Sequence, residues 1–320
     1  MVRLIIAALV LDLLLGDPRS LPHTVVLMGK AITWCEKRIR HFCSSSRSLR
    51  WGGALLVLVI VGGTYLLVWG LLRRCFAIHP WVAIGAETWL LYTSLAVKSL
   101  HQHAVAVAVP LAQQDLPTAR VKVGMIVGRD TDRLDEGEVT RAVVETVAEN
   151  TIDGIISPLF YAFLGGAPLA LAYKAVNTLD SMVGYKEAHY RDLGMVAARF
   201  DDLVNWLPAR LTGLLMLFLA PFTPGGFSRV LSVMKRDARK HPSPNGGIIE
   251  AGVAGALRVQ LGGLNYYFGQ PSRRATMGDP LEPLQVAHIY RTLALMYGLT
   301  FLAVVLGVLL YSLFLQQPLI

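Results

Sequence analysis

The stretch Trp51–Leu72, WGGALLVLVIVGGTYLLVWGLL, contains 22 residues without a charged side chain and is followed at once by Arg73 and Arg74. A helix rises about 1.5 Å per residue, so this length is enough to cross a hydrocarbon core about 30 Å thick. An apolar run of this length is rare in soluble domains. The stretch therefore predicts a transmembrane helix and an integral membrane protein.

The composition of the whole chain agrees with this prediction. Of the 320 residues, 54% are hydrophobic and only 16% are charged, whereas a soluble domain usually has about a quarter of its residues charged. Trp81–Val97 and Tyr290–Leu315 are two further predicted spans. Three apolar segments that are shorter or interrupted are Leu4–Leu15, Ile155–Val176 and Leu203–Phe222. We expect an all-α, polytopic membrane protein, a single embedded unit over residues 1–320 with about five to six membrane segments.

Basic residues are concentrated in two loops. Residues 17–50 carry seven Lys and Arg, and residues 223–289 carry eight. Because basic loops stay in the cytoplasm, we expect both loops and a helical insertion at 98–154 on the cytoplasmic face of the inner membrane. This bias explains the net charge of +8 without a nucleic-acid partner, although a basic surface also suits an anionic substrate. Gly165-Gly166 predicts a bent or re-entrant membrane helix.

A stripe of carboxylates occupies one face of the predicted helix Thr140–Gly154. Glu145, Glu149 and Asp153 follow one another at four-residue intervals, with Arg141 one turn earlier. Such a stripe is typical of a solvated face. Stacked carboxylates also repel one another, so a cation or a basic partner would explain them equally well.

Two further polar stretches lie at predicted membrane boundaries. One side of a largely apolar helix carries a polar stripe of Lys174, Asn177, Asp180, Ser181 and Gly184. Ionisable residues in such a position usually face a site or a water-filled cavity, or else form a structural ion pair. Asp201-Asp202 offers oxygen ligands of the kind that Mg²⁺ prefers, and Arg210 is suited to a phosphate. The DDxxN pattern by itself is a weak indication of a metal site, and its position at a predicted membrane boundary strengthens that indication.

Three loops carry unusual sequences. Gly128–Thr131 (GRDT) fits an ordinary turn or a binding loop, and His241–Gly247 (HPSPNGG) is rigid and followed by Glu250. The glycines of Leu261–Gly269 would let a ligand approach the backbone. A GxxxxGK[ST] phosphate loop, a serine nucleophile elbow and an HExxH zinc motif are all absent from the sequence.

Taken together, these motifs resemble the adenosylcobinamide-phosphate synthase family of cobalamin biosynthesis, known as CbiB or CobD. The matching stretches are Leu11-Asp12, Gly16-Asp17-Pro18, Pro22-His23, Gly128–Thr131, Glu145–Gly154, Asn177–Lys186, Asp201–Arg210 and His241–Asn245. Their order is preserved over most of the chain. Thr24 and Gly246 depart from the family pattern, which usually has Pro and Ala there, and neither change removes a polar group.

The resemblance implies ATP-dependent amide formation between adenosylcobyric acid and (R)-1-amino-2-propanol or its O-phosphate. The corrinoid and the amine are then the substrates, ATP and Mg²⁺ are required, the bilayer is the environment, and other late enzymes of the pathway are possible docking partners. The expected catalytic residues are Glu149, Asp153, Asp180 and Lys186, and the expected metal ligands are Asp180, Asp201 and Asp202. Expected substrate contacts are Asp17, His23, Arg129, Asp130, Asn150, Asn177, Ser181, Tyr185, Arg210, His241, Ser243 and Asn245.

Two other functions fit parts of the sequence. A membrane prenyltransferase would use Asp180 and Asp201-Asp202 to hold Mg²⁺-diphosphate, but such enzymes generally have more spans and two comparable Asp-rich motifs. A transporter would use the intramembrane residues Asp12, Glu87, Lys174 and Arg210 as an ion path. The lack of internal repeats and the many polar motifs outside the clear spans count against a transporter.

Overall fold

A computed structural model describes residues 1–17, 24–185 and 187–314. The predicted site residues His23 and Lys186 lie outside these ranges. The chain divides into two compact units, each interrupted in sequence by the other. Unit 1 comprises Met1–Ala96, Ser157–Asn205 and Leu306–Ile320, and unit 2 comprises Val97–Ile156 and Trp206–Val305. The single embedded unit and the regions 98–154 and 223–289 stay predictions.

The described residues are mostly helical. In chain order the α-helices are α1 (Val2–Leu15), α2 (Thr24–Phe42), α3 (Ser46–Val57), α4 (Gly63–Ile78), α5 (Pro80–Tyr92), α6 (Val97–Ala112), α7 (Leu116–Val123), α8 (Glu136–Thr151), α9 (Ser157–Val183), α10 (Met195–Val204), α11 (Trp206–Leu219), α12 (Gly226–Asp237), α13 (Gly246–Leu257) and α14 (Val286–Phe314). Wider π-helical turns occur at Leu58–Gly62 and Ile152–Ile156, and short 3₁₀ turns occur at Ala220–Phe222 and Ala238–Lys240.

Three helices are long and apolar enough to cross a membrane. They are Ser46–Ile78 with 33 residues, Glu136–Val183 with 48 and Val286–Leu313 with 28. The first contains the predicted span Trp51–Leu72, because the turn at Leu58–Gly62 joins α3 to α4 without a break. A fourth candidate is α10 followed by Trp206–Phe222, which is bent by 43°.

The expected number of five to six membrane segments is therefore not confirmed. Helix α1 has 14 residues, and α5 has 13, so each is shorter than a usual span. The predicted span Trp81–Val97 is wrong as a single helix, because α5 ends at Tyr92. There the hydroxyl of Thr93 donates to Leu90 O (2.9 Å) and that of Ser94 to Leu91 O (2.6 Å), which satisfies carbonyls at the helix end.

The predicted bend in the second long helix is confirmed. Gly165 and Gly166 have non-helical backbone angles inside α9, and Gly166 has a φ of +64° that favours glycine. Helix α8 begins at Glu136, four residues earlier than the predicted helix. Its N-cap is Asp135, whose Oδ1 accepts from Glu138 N at 2.8 Å.

The all-α prediction is wrong in one region. Leu261–Tyr267 (β1) and Gln270–Met277 (β2) form an antiparallel hairpin in unit 2. The turn contains Phe268 and Gly269, both at positive φ. The glycines of this segment allow the turn and an irregularity in the strand register between Leu261 and Gly263. Ligand approach at these glycines stays a prediction.

Candidate active site

A buried ion-pair network lies in unit 2, where the Glu145 carboxylate faces two guanidinium groups. Arg129 Nη2 donates to Glu145 Oε2, and Arg141 Nη1 lies 3.8 Å from Glu145 Oε1. The side chains of Arg129 and Glu145 are 7% and 6% exposed. Buried charges require partners and hydrogen bonds, so the carboxylate stripe of α8 is not a solvated face at Glu145.

The hairpin supplies the remaining partners of this network. Asn265 Oδ1 accepts from Arg129 Nη1 at 2.5 Å and from Arg141 Nη2 at 3.1 Å. Gly262 N donates to Glu145 Oε1 at 2.8 Å, and Gly262 O accepts from Arg141 Nη1. Asn265 Nδ2 is buried and makes no hydrogen bond within the described part of the chain. The network therefore presents one unused polar atom.

Backbone geometry explains why glycine stands at position 262. Its φ is +81°, and a Cβ there would lie 2.3 Å from Ala275 O on the paired strand. Only glycine fits this approach without strain. The residue that sets the strand irregularity is thus the one whose N–H reaches Glu145.

Asp130 fixes the tip of the hairpin. Its carboxylate accepts from Phe268 N at 3.1 Å and from Gly269 N at 2.7 Å, and its own N–H donates to Tyr266 O at 2.8 Å. These hydrogen bonds give the Asp of the GRDT loop a structural role. A contact of Asp130 with substrate stays a prediction.

A second polar pair lies at the start of α13. His241 Nε2 is 3.4 Å from Glu250 Oε1, and the two side chains are 5% and 2% exposed. His241 Nδ1 lies 3.1 Å from Ser243 N and 3.2 Å from Ser243 O. In the tautomer in which Nδ1 carries the proton and donates to Ser243 O, Nε2 is the acceptor nitrogen of the ring. His241 Nε2 and Glu250 Oε1 are both removed from water, and neither makes a hydrogen bond within the described part of the chain.

Burial governs the protonation of this pair. It lowers the pKa of His241, although the nearby Glu149 carboxylate opposes the change. It raises the pKa of Glu250 well above the ordinary value, and the negative charges of Glu149 and Glu145 raise it further. Burial also lowers the pKa of Arg274, but the nearby Tyr267 and then the carboxylates of Glu250 and Glu149 more than offset this effect and raise it. His241, Glu250, Glu149 and Arg274 therefore share one electrostatic environment.

The HPSPN loop connects this pair to α11. Ser243 Oγ accepts from Asn245 N at 3.2 Å and from Gly246 N at 3.4 Å at the beginning of α13. Asn245 Oδ1 accepts from Arg210 Nη1 at 2.5 Å. The side chains of Arg210 and His241 both line a cavity of about 550 Å³. Arg210 of α11 and His241 of the loop thus line the same cavity.

The predicted residues divide between the two units. Unit 2 contains Arg129, Asp130, Glu149, Asn150, Asp153, Arg210, His241, Ser243 and Asn245, and unit 1 contains Asp17, Asn177, Asp180, Ser181, Tyr185, Asp201 and Asp202. Within unit 2, Glu149 belongs to the environment of His241. Asn150 is exposed and donates to Thr146 O of its own helix at 2.9 Å, while Asp153 lies half-buried in the turn Ile152–Ile156.

In unit 1 the DDxxN motif forms part of a polar network. Asn205 Nδ2 donates to Asp201 Oδ2 at 3.0 Å, and Asn205 Oδ1 accepts from Ser157 Oγ at 2.6 Å and Tyr173 Oη at 2.9 Å. Asn205 therefore holds α9 against the end of α10 through both its amide oxygen and its amide nitrogen. Asp202 is half-buried.

Polar residues at the C-terminal end of α9 make hydrogen bonds within their own segment. Ser181 Oγ donates to Asn177 O, and Tyr185 Oη donates to Ser181 O, both at 2.8 Å. A Cβ at Gly184 would lie 2.0 Å from Asp180 Oδ1, so glycine leaves the space that this carboxylate occupies. Asp17 is half-buried after α1.

The described residues contain no group of three or more His, Cys, Asp or Glu side chains placed to hold a metal ion. Asp180, Asp201 and Asp202 therefore do not make a preformed three-ligand site. Their participation in Mg²⁺ binding stays a prediction.

Several polar residues of the unit 2 cluster were not among the predicted site residues. They are Arg141, Glu145, Glu250, Asn265 and Arg274. Glu250 carried a usable signal, since it is the only charged residue of the apolar segment Gly246–Leu257. Arg274 carried none, because it is one of two adjacent arginines in a segment that has no apolar periodicity.

Comparison with known proteins gives a consistent result. The family model described as CobD/Cbib protein matches residues 5–296. The chain is 52% identical over 303 residues to a cobalamin biosynthesis protein CobD of Geobacter metallireducens, which covers 95% of this chain and 94% of the relative. It is 49% identical over 299 residues to a cobalamin biosynthesis protein CbiB of Salmonella arizonae, covering 93% and 94%. No solved structure matches the chain significantly. The chain belongs to the CobD/CbiB protein family.

Proposed function

We propose that this protein is an enzyme of cobalamin biosynthesis that joins adenosylcobyric acid to (R)-1-amino-2-propanol or its O-phosphate with consumption of ATP. The relatives named CbiB and CobD support the pathway. The observation that carries the chemistry is the buried His241–Glu250 pair at a cavity that Arg210 also lines.

Amide formation sets clear demands on such a site. A carboxylate is a poor electrophile, so its oxygen first takes the terminal phosphoryl group of ATP and ADP leaves. The amine nitrogen then attacks the carbonyl carbon, the C–O bond to phosphate breaks, and inorganic phosphate leaves. An ammonium must lose a proton before it can attack. The site therefore needs a base for that proton and cations for the phosphates.

His241 and Glu250 meet the first demand. A His whose pKa is lowered by burial is uncharged near neutral pH and accepts a proton from a ligand in the cavity. Glu250, 3.4 Å away, stabilises the imidazolium that results when its own carboxyl group is ionised. Glu149, an expected catalytic residue in the same environment, is the second candidate for holding the ammonium. Asp153, another expected catalytic residue, stays a prediction for that role.

Cations for phosphate or propionate are also present in unit 2. Arg210 lines the cavity, and Arg274 lines a neighbouring one together with Lys240. Arg129, an expected substrate contact, is paired with Glu145. Mg²⁺ commonly takes one or two carboxylates together with substrate phosphates. Such a mixed set fits this chain better than an all-protein set, and the ion would supply charge neutralisation at the phosphates.

The long apolar helices support a membrane location, and we propose the cytoplasmic membrane with the substrates entering from the cytoplasm. Docking of other late pathway enzymes on the basic loops belongs to the same proposal.

Product formation tests the function directly. Purified protein in detergent is incubated with ATP, Mg²⁺, adenosylcobyric acid and either aminopropanol or its phosphate, and the amide is measured by mass spectrometry. His241→Gln should lower turnover by about 10²–10⁴-fold, the usual contribution of a general base. His103→Gln, a change at an exposed histidine of unit 2, is the matched control. Absence of amide with both amines would contradict the proposal. It is the result expected if the protein is a prenyltransferase or a transporter.

A further inference from the structure

We infer that the cavity of about 550 Å³ between α11, α12 and the HPSPN loop is a binding site for a phosphate group, held by Arg210, Lys235 and Arg239. Lys235 and Arg239 have no role in the proposed function so far. The inference rests on that function only in naming ATP or a phosphorylated amine as the source of the phosphate.

The charge of the cavity is strongly one-sided. Arg210, Lys235 and Arg239 contribute three cations, and none of the described residues that line the cavity is acidic. Like charges on one concave surface repel one another and raise the local concentration of anions. A bound phosphate would relieve this repulsion.

The neighbouring basic residues behave differently. Arg236 Nη2 lies 2.7 Å from Asp237 Oδ2, and Lys240 Nζ lies 2.7 Å from Asp237 Oδ1. Lys235 and Arg239 have no ion-pair or hydrogen-bond partner among residues 1–17, 24–185 and 187–314. The chain thus neutralises the basic residues on one side of this segment and leaves those that face the cavity unneutralised.

Arg210 is held in position for a ligand. Its Nη1 donates to Asn245 Oδ1 at 2.5 Å and to Trp206 O at 3.0 Å, and its guanidinium lies 4.7 Å from the centre of the Trp206 ring. Its Nε and Nη2 make no hydrogen bond within the described ranges. A guanidinium fixed along one edge with two donors unused suits bidentate recognition of a phosphate. His241 on the same wall places the proton acceptor beside this anion.

A phosphate also occurs in lipid headgroups, and the two sources can be separated by the probe. Inorganic pyrophosphate is titrated calorimetrically into the full-length protein in lipid-free detergent. In parallel, the stabilisation of the protein by phosphatidylglycerol and by phosphatidylcholine is measured as a change in unfolding temperature. Neither measurement depends on amide formation, so a failure of the proposed reaction leaves the test intact.

The decisive variant is the double change Lys235→Gln and Arg239→Gln, both at exposed positions. The control is Lys122→Gln with Arg133→Gln, which removes the same charge from exposed positions outside the cavity. The double cavity variant should bind pyrophosphate at least roughly tenfold more weakly, since a hydrogen bond to a charged group contributes at least that factor. The control should bind as the wild type does.

Arg210→Lys keeps the charge but removes the paired donors of the guanidinium group, and this variant should also weaken pyrophosphate binding. Absence of pyrophosphate binding by the wild type, or equal binding by the wild type and the double cavity variant, would overturn the inference. A loss confined to the response to phosphatidylglycerol would assign the phosphate to a lipid headgroup and overturn the assignment to ATP or a phosphorylated amine. Weakened pyrophosphate binding in a variant that unfolds at the wild-type temperature supports it.

Discussion

The buried network of unit 2 gives a sharp prediction for stability. In Glu145→Gln the side chain keeps its shape but loses the charge that faces Arg129 and Arg141. One of its oxygens is replaced by an amide group that can only donate, and that group would face guanidinium donors. The two guanidinium groups would remain buried without a counter-charge, because their side chains are 7% and 8% exposed.

The expected magnitude follows from this burial. Removing one partner of a buried ion pair typically costs about 3–5 kcal/mol, because the remaining charge is uncompensated. For a chain of this size, roughly 2 °C of unfolding temperature corresponds to each kcal/mol, so the variant should unfold about 6–10 °C below the wild type. The measurement is thermal unfolding in detergent by intrinsic fluorescence.

Two comparisons make the result interpretable. Asp132→Asn removes a carboxylate from an exposed loop of the same unit and should change the unfolding temperature by about 1 °C or less. The double variant Glu145→Gln with Arg129→Gln should be less unstable than the sum of the single changes, since the charges are coupled. If Glu145→Gln unfolds within about 2 °C of the wild type, the network does not stabilise the fold as argued.

Three further predictions concern other parts of the chain. Because burial raises the pKa of Glu250 above the 4.5 of an unfolded chain, its contribution to stability is complete below that pH and is lost as pH rises through the raised pKa. In the wild type the free energy of unfolding should therefore fall by up to about 1.4 kcal/mol per pH unit in this range, and Glu250→Gln should remove that fall. The same pH dependence of unfolding in the wild type and the variant would contradict this. Asp202→Asn should abolish turnover without a change in unfolding temperature, whereas Asp201→Ala should cost about 1–3 kcal/mol because Asn205 loses an acceptor. In a variant without native cysteines, Ser45→Cys and Ser232→Cys should resist impermeant labels in intact cells, and labelling from outside would refute the cytoplasmic placement.

The sequence predicted the features that depend on local pattern. Trp51–Leu72 is helical because an apolar run of that length has no other stable state in a membrane. The bend at Gly165-Gly166 follows from the freedom of glycine. The end of α5 at Tyr92 was missed because Thr93 and Ser94 are neutral and do not lower the hydropathy enough to interrupt a predicted span.

The candidate site depended on long-range contacts that no local pattern contains. Glu145 was readable as a solvated carboxylate, and its burial is fixed by Arg129 and by the hairpin residues Gly262 and Asn265, more than a hundred positions later. The hairpin itself was obscured because its glycines and aromatic residues also fit a ligand-binding loop. The resemblance to a known family supplied motifs, but it did not supply these partners.

Glu250 shows why this cluster is better explained by chemistry than by folding. It is the only charged residue of α13, in which eleven of the twelve residues are buried. An apolar side chain of similar volume would pack there without any desolvation penalty, and such replacements of buried charges are often neutral or stabilising. Glu250 instead lies 3.4 Å from His241, which lines a cavity that also carries three cations. A buried carboxyl that opposes folding and stands behind an imidazole at a cationic cavity has the properties of a group that moves a proton.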